Sequence, residues 1–369
     1  MAARWIRRLA AVACAAFALL AGGTFADELP ADYPPVLPGR AIEFPADTGA
    51  HPAFRTEWWY VTGWLADGEG IERGFQITFF RVRTRIGEGN PSRFAPRQLV
   101  LAHAAVADPK AGRLLHAERA ARALPPLVGF ETGRTHAWVG DWSIAWEGDH
   151  YLARAAGEDF AFDLRFDPTA APMLNGEAGF SRKDADPRHA SHYYSRPQLA
   201  ARGTLRVDGQ DREVSGRAWL DHEWSSELMP EGVRGWDWLG INLHDGGALM
   251  AFRMRDEQGE PRWAGGTLRA ADGSQRSLAP QELRFTPLRR WRSSRTGADY
   301  AVTWRLELNP AGAAPRTLEI QPLMDDQELD SRRSTGAVYW EGAVRLLEGG
   351  REIGRGYLEM TGYAERLRM

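Results

Sequence analysis

The chain has 369 residues, in which 46 Lys and Arg face 49 Asp and Glu for a formal net charge of −3, with 43% hydrophobic and 26% charged residues. That length suggests two domains of ordinary size, the composition excludes a largely disordered chain, and the lack of any dense basic run excludes nucleic acid as a partner. Its 15 Trp, 39 Gly and 22 Pro beside a single Cys favour strands joined by tight turns over long helices.

The first residues have the layout of a secretory signal: Arg4, Arg7 and Arg8 precede an apolar stretch from Leu9 to Leu20, and small residues follow. Cleavage near Ala26 predicts a periplasmic or secreted protein. The apolar stretch is shorter than the ~20 residues that span a bilayer, so no integral membrane segment is expected in the mature chain. Cys14 would leave with the signal, and with it any disulfide or thiol chemistry. Residues 27–52 are Pro-rich and are expected to form an extended arm laid over the first domain.

Beyond the arm the hydrophobic period is two. Strands are expected around 58–65, 74–83, 99–106, 138–146, 159–167, 203–207 and 214–220, with Phe160, Phe162, Leu164 and Phe166 alternating against Ala161, Asp163 and Arg165. Turns such as Asp208-Gly209 and Asp245-Gly246 suit hairpins. The second half repeats this grammar at 236–243, 248–255, 300–308, 337–347 and 352–363. The two halves also echo each other: Trp58 aligns with Trp236, Asp67-Gly68 with Asp245-Gly246, and Phe80-Arg81-Val82-Arg83 with Phe252-Arg253-Met254-Arg255. Two related β-rich domains are therefore expected, over 53–226 and 227–369, with the break near Pro230-Glu231-Gly232.

Strand alternation also sorts the chemistry. Leu220, His222 and Trp224 share one face, while Trp219, Asp221 and Glu223 share the other. Asp237 alternates with Leu239, Ile241 and Leu243 and so points to an apolar interior, where burial would keep a carboxyl protonated or an arginine would pair with it. Glu57 and Arg81 each sit on an apolar strand face and are predicted to meet as a buried ion pair. No metal or cofactor is expected. His222-Glu223 has no His at position 226, and His189 and His192 have no third ligand. The absence of a Gly-x-Ser-x-Gly elbow or phosphate loop argues against a serine hydrolase or an NTPase.

The segments His51-Pro52-Ala53-Phe54-Arg55-Thr56-Glu57-Trp58-Trp59-Tyr60, His192-Tyr193-Tyr194-Ser195, Gly216-Arg217-Ala218-Trp219-Leu220-Asp221-His222-Glu223-Trp224 and Gly235-Trp236-Asp237-Trp238 resemble the carotenoid 1,2-hydratase and AttH-like secreted protein family. The resemblance implies an all-β fold of two lipocalin-like antiparallel β-barrels in tandem. It also implies one of two functions on a hydrophobic isoprenoid or lipid molecule. One is a carbon–oxygen lyase that adds water to a C=C bond by acid catalysis; the other is a non-catalytic periplasmic carrier associated with ABC transporter components. For the lyase, His222 and Asp237 are the expected proton-transfer groups and Trp224 the aromatic face for a carbocation, all lining one cavity near the domain junction. Asp221 and Glu223 stay open as alternative acids. Tyr193, Tyr194, Trp236 and Trp238 are the expected ligand-binding residues.

Overall fold

In the first sheet of the computed structural model, which describes residues 32–367, thirteen strands follow one another. They are β1 (Thr56–Asp67), β2 (Glu72–Arg83), β3 (Gln98–Asp108), β4 (Arg113–Arg122), β5 (Val128–Phe130), β6 (His136–Val139), β7 (Trp142–Glu147), β8 (His150–Ala156), β9 (Phe160–Pro168), β10 (Met173–Leu174), β11 (Phe180–Arg182), β12 (Ala190–Val207) and β13 (Gln210–Ser225). The second sheet holds β14 (Val233–Leu243), β15 (Ala248–Asp256), β16 (Pro261–Arg269), β17 (Gln275–Leu278), β18 (Leu283–Arg292), β19 (Asp299–Leu308), β20 (Arg316–Pro322), β21 (Glu328–Ser331), β22 (Ala337–Glu348) and β23 (Arg351–Met360). The expected signal segment, with Cys14, and the start of the arm lie outside the described residues. Among those described, no helix is long and apolar enough to cross a membrane.

Both sheets are antiparallel, and they pack as tandem lipocalin-like barrels. In the first, the order runs β4-β3-β2-β1-β13-β12-β9-β8-β7-β6-β5; in the second, β17-β16-β15-β14-β23-β22-β20-β19-β18. The opening strand of each sheet therefore sits between its second and its last. The strands that carry Trp58 and Trp236, β1 and β14, thus occupy equivalent places, as expected from the internal echo, but the register sets Trp58 opposite Phe80 and Trp238 opposite Phe252, so Trp238 rather than Trp236 stands at the position of Trp58. The single expected strand over 138–146 is instead a hairpin, β6 and β7, because Gly140 takes a positive φ of 65° between Val139 and Trp142.

Position in the molecule explains which strands alternate. β9 faces a core on one side only and shows the burial expected from its Phe/Asp alternation. β1 and β14 are buried on both faces, since one side fills a barrel and the other packs against the neighbouring sheet. Trp59, Val61, Phe75 and Ile77 fill the first barrel, and Leu239, Ile241, Trp304 and Trp340 fill the second. Tyr60, Trp64, Trp219, Trp238, Phe252 and Tyr357 form a separate core between them. Polar bonds tie the same junction: Trp64 Nε1 donates to Gly356 O at 2.9 Å and Asn242 Nδ2 to Ala218 O at 3.0 Å. At Gly356 the chains approach so closely that a Cβ would stand 1.8 Å from Gly240 O, which only glycine permits.

Candidate functional site

Glu57 and Arg81 are direct register partners on β1 and β2, and they meet inside the first barrel as predicted, Arg81 Nε to Glu57 Oε2 at 2.8 Å with both side chains fully buried. Two histidines complete the cluster. His222, from β13, places Nε2 at 2.9 Å from Glu57 Oε1, and His51, from the arm, places Nδ1 at 2.7 Å from the same oxygen. Carboxylates only accept, so both nitrogens donate. His51 Nε2 also faces a carboxylate, Asp47 Oδ1 at 3.0 Å, so the His51 ring is an imidazolium. Burial works against that charge, but Asp47 and Glu57 more than offset it and hold the His51 pKa above its ordinary value. Burial lowers the His222 pKa against the opposing Glu57 bond, which leaves a neutral ring whose Nδ1 accepts from the Tyr194 hydroxyl at 3.1 Å.

His51 Nδ1, Glu57 Oε1 and His222 Nε2 lie within 4.8 Å of one another, as a metal-binding trio would. Their chemistry fits hydrogen bonds better. The 2.7 and 2.9 Å separations are those of N–H···O contacts, and Arg81 already supplies the positive charge that a cation would bring. Trp224 is equally committed: His51 stacks on it at 3.8 Å and 7°, and the Arg40 guanidinium stands 5.5 Å from its ring. His222 and Trp224 thus come together as expected, but in a filled, arm-capped network. The cluster makes a testable statement about pH. A histidine whose folded pKa is raised stabilises the fold fully below its unfolded value of about 6.5 and loses that contribution as pH rises through the folded value. The melting temperature of the wild type should therefore fall between pH 6 and pH 9 more than that of His51→Gln, as measured by thermal denaturation in matched buffers.

Asp237 lies elsewhere. It points into the second barrel, where Arg253 Nε at 2.7 Å, Arg255 Nε at 3.1 Å and the Tyr363 hydroxyl at 3.0 Å converge on its carboxylate. The single cavity expected to join His222, Trp224 and Asp237 does not exist in this arrangement, because β13 and β14 turn those side chains into different barrels. Of the two outcomes open to a buried Asp237, pairing with arginine is the one found.

The faces turned away from the barrels enclose a cavity of about 420 Å³ between the sheets. Trp58, Trp236, Trp238, Phe80 and Met254 give it apolar walls, and Asp221, Glu223, Glu341 and Glu359 line it with carboxyls. Trp236 and Trp238, two of the four residues expected to bind a ligand, line this cavity. Tyr193 supports the wall from behind, accepting from Trp238 Nε1 at 2.9 Å and donating to Asp221 at 2.8 Å, whereas Tyr194 belongs to the His222 network.

Each carboxyl has a different environment. Glu223 is paired with Lys183 at 2.9 Å. Burial pushes Asp221 up to about 7, while Ser195, Trp219 and Tyr193 all donate to it and favour its ionised form. Glu341 and Glu359 are direct register partners on β22 and β23, so two carboxyls face the cavity side by side. Burial raises both, and Glu341 raises Glu359 further, because neighbouring anions cannot share a dry wall. Glu359 accepts from Trp236 Nε1 at 3.0 Å; Glu341 Oε2 and the adjacent Tyr60 hydroxyl are buried without a hydrogen-bond partner of good geometry. Both shifts favour a protonated carboxyl facing the aromatic chamber. Sequence reasoning missed both glutamates, although each is the lone acid in an otherwise apolar stretch, Tyr339-Trp340-Glu341-Gly342-Ala343 and Tyr357-Leu358-Glu359-Met360.

The sequence profile of the AttH-like family matches residues 35–363. Among solved structures, an AttH-type protein from Nitrosomonas europaea is 47% identical, with a TM-score of 0.82 over 89% of this chain and 99% of that one. Kievitone hydratase from Nectria haematococca is 15% identical with a TM-score of 0.66 over 91% and 97% of the two chains, a likeness of fold. CghA shares the fold at 13% identity and a TM-score of 0.51 over 84% and 90%. No curated protein matches the chain.

Proposed function

This chain belongs to the AttH-like family, and on that footing we propose that it takes an apolar alkene of the isoprenoid or lipid class into the cavity between its barrels and adds water to a C=C bond by acid catalysis. The observation that carries this reading is the side-by-side placing of the Glu341 and Glu359 carboxyls in the aromatic wall of that cavity, where burial favours their protonated forms. Glu341 gives its proton to one alkene carbon, and the π electrons form the new C–H bond. The cation left on the more substituted carbon lies against the indoles of Trp58, Trp236 and Trp238. Water then forms the C–O bond, and the proton it sheds returns to the Glu341 carboxylate, so the sum is alkene plus water to alcohol. Asp221, fixed by three donors, orients the water. His222 and Trp224 hold the first barrel and its arm together and take no part in the reaction.

A fold shared with a named hydratase supports this reading. The rival is a non-catalytic carrier of the same apolar ligand, exported to the periplasm to serve ABC transporter components. One experiment separates the two: an acyclic isoprenoid with a terminal trisubstituted double bond is incubated with the protein in 18O-labelled water. Labelled tertiary alcohol should form with the wild type and fall by about 100-fold or more with Glu341→Gln, a loss typical of removing a general acid, while the isoprenoid still binds. Tight binding without labelled product in both proteins would establish the carrier instead.

A further inference from the structure

The second barrel is not closed by hydrogen bonds, since β17 and β18 end its sheet on opposite sides. β17 pairs with only the Gly266–Arg269 end of β16, so the start of β16 and the edge of β18 flank an open seam. A cavity of about 880 Å³ lies there, within the size range of small-molecule sites. Trp304, Phe285 and Leu283 give it an apolar floor, and Arg253 and Arg255 stand at its inner end over Asp237.

The charge at that inner end does not balance. In the first barrel the equivalent register pair, Glu57 with Arg81, is joined by the His51 imidazolium, but Asp47 answers that second charge, and the next arginine, Arg83, has its own carboxylate, Glu88, at 2.8 Å. In the second, Asp237 pairs in register with Arg253, and among the described residues Arg255 has no other carboxylate, so one anion answers two guanidinium groups. All three side chains are at least nine-tenths buried. The rings nearest them, Trp304 at 4.6 Å from Arg253 and Tyr363 at 4.0 Å from Arg255, share the excess charge without cancelling it. A buried surplus cation at the end of a chamber with an apolar floor is the recognition chemistry of an amphipathic monoanion.

We propose that this seam is a second ligand site, distinct from the cavity between the barrels, that binds an organic carboxylate with an apolar body. The carboxylate completes the Arg253–Asp237–Arg255 cluster, and the body lies on Trp304 and Phe285. Asp237 accordingly acts as the anchor that orients two arginines.

The test uses isothermal titration calorimetry with decanoate, decan-1-ol and acetate, so that head and body are presented together and apart. Decanoate should bind the wild-type chain at least tenfold more tightly than either of the others. Arg253→Met should abolish that preference, and Arg253→Lys, which restores the charge, should recover part of it. Arg253→Met leaves a neutral Asp237–Arg255 pair, so it should fold with a melting temperature no lower than the wild type, while decanoate should raise the melting temperature of the wild type and not that of Arg253→Met. Glu341→Gln should leave decanoate binding unchanged, which separates this site from the proposed alkene cavity. Equal affinity for decanoate and decan-1-ol, or undiminished decanoate binding by Arg253→Met, would overturn the proposal.

Discussion

Arg81→Met should destabilise the protein by about 3 kcal/mol, the lower end of the range for removing one partner of a buried ion pair. Methionine fills most of the volume, so the loss is chiefly electrostatic: Glu57, fully buried, would keep only His51, His222 and the His51 backbone amide as donors. The pH dependence identifies the cause. Burial alone would raise the Glu57 pKa, yet Arg81, with His222 and His51, holds it well below the ordinary carboxylate value. A carboxyl depressed in this way contributes stability above its unfolded pKa of about 4.3 and loses it as pH falls through the folded value. The wild type should thus lose stability below about pH 4 more steeply than Arg81→Met. Urea denaturation at pH 7 and at pH 3.5 measures both quantities, and equal stabilities at pH 7 would show that the pair adds nothing.

Under the proposed hydration chemistry, Glu359→Gln should alter the pH dependence of turnover more than its maximum. The reaction needs Glu341 protonated, so kcat/KM should be level at low pH and fall as pH rises through the raised pKa of the pair. Glutamine keeps the bond from Trp236 Nε1 but leaves Glu341 as the only carboxyl of the pair to lose a proton, where in the wild type the two share that loss. The falling limb should therefore move to lower pH, and every unit of movement costs about tenfold in rate on that limb. Glu341→Gln, by contrast, should be inactive at every pH. A profile for Glu359→Gln that overlays the wild type would show that the two carboxyls titrate independently.

Period-two patterning determined much of this molecule. It placed about half of the strands, among them β1–β3, β9, β13–β15, β19, β22 and β23, paired Glu57 with Arg81 from two apolar faces, separated Asp221 and Glu223 from His222 and Trp224, and showed in the echo of Phe80-Arg81 by Phe252-Arg253 that the chain is built twice. These are local facts, since neighbouring side chains on a strand must diverge and a charge on an apolar face must find a partner. The motifs around Trp58 and His222 carried the family. Alternation says which residues share a face, however, and not what that face meets. Only the packing of two barrels decided that the His222 face looks into a filled interior, that the Asp221 face looks across a chamber to Glu341 and Glu359, some 120 and 138 residues away, and that Asp237 is turned into the other barrel. A strand buried on both sides leaves no polar stripe to mark its functional face, so the acids that matter most became visible only when two sheets closed around them.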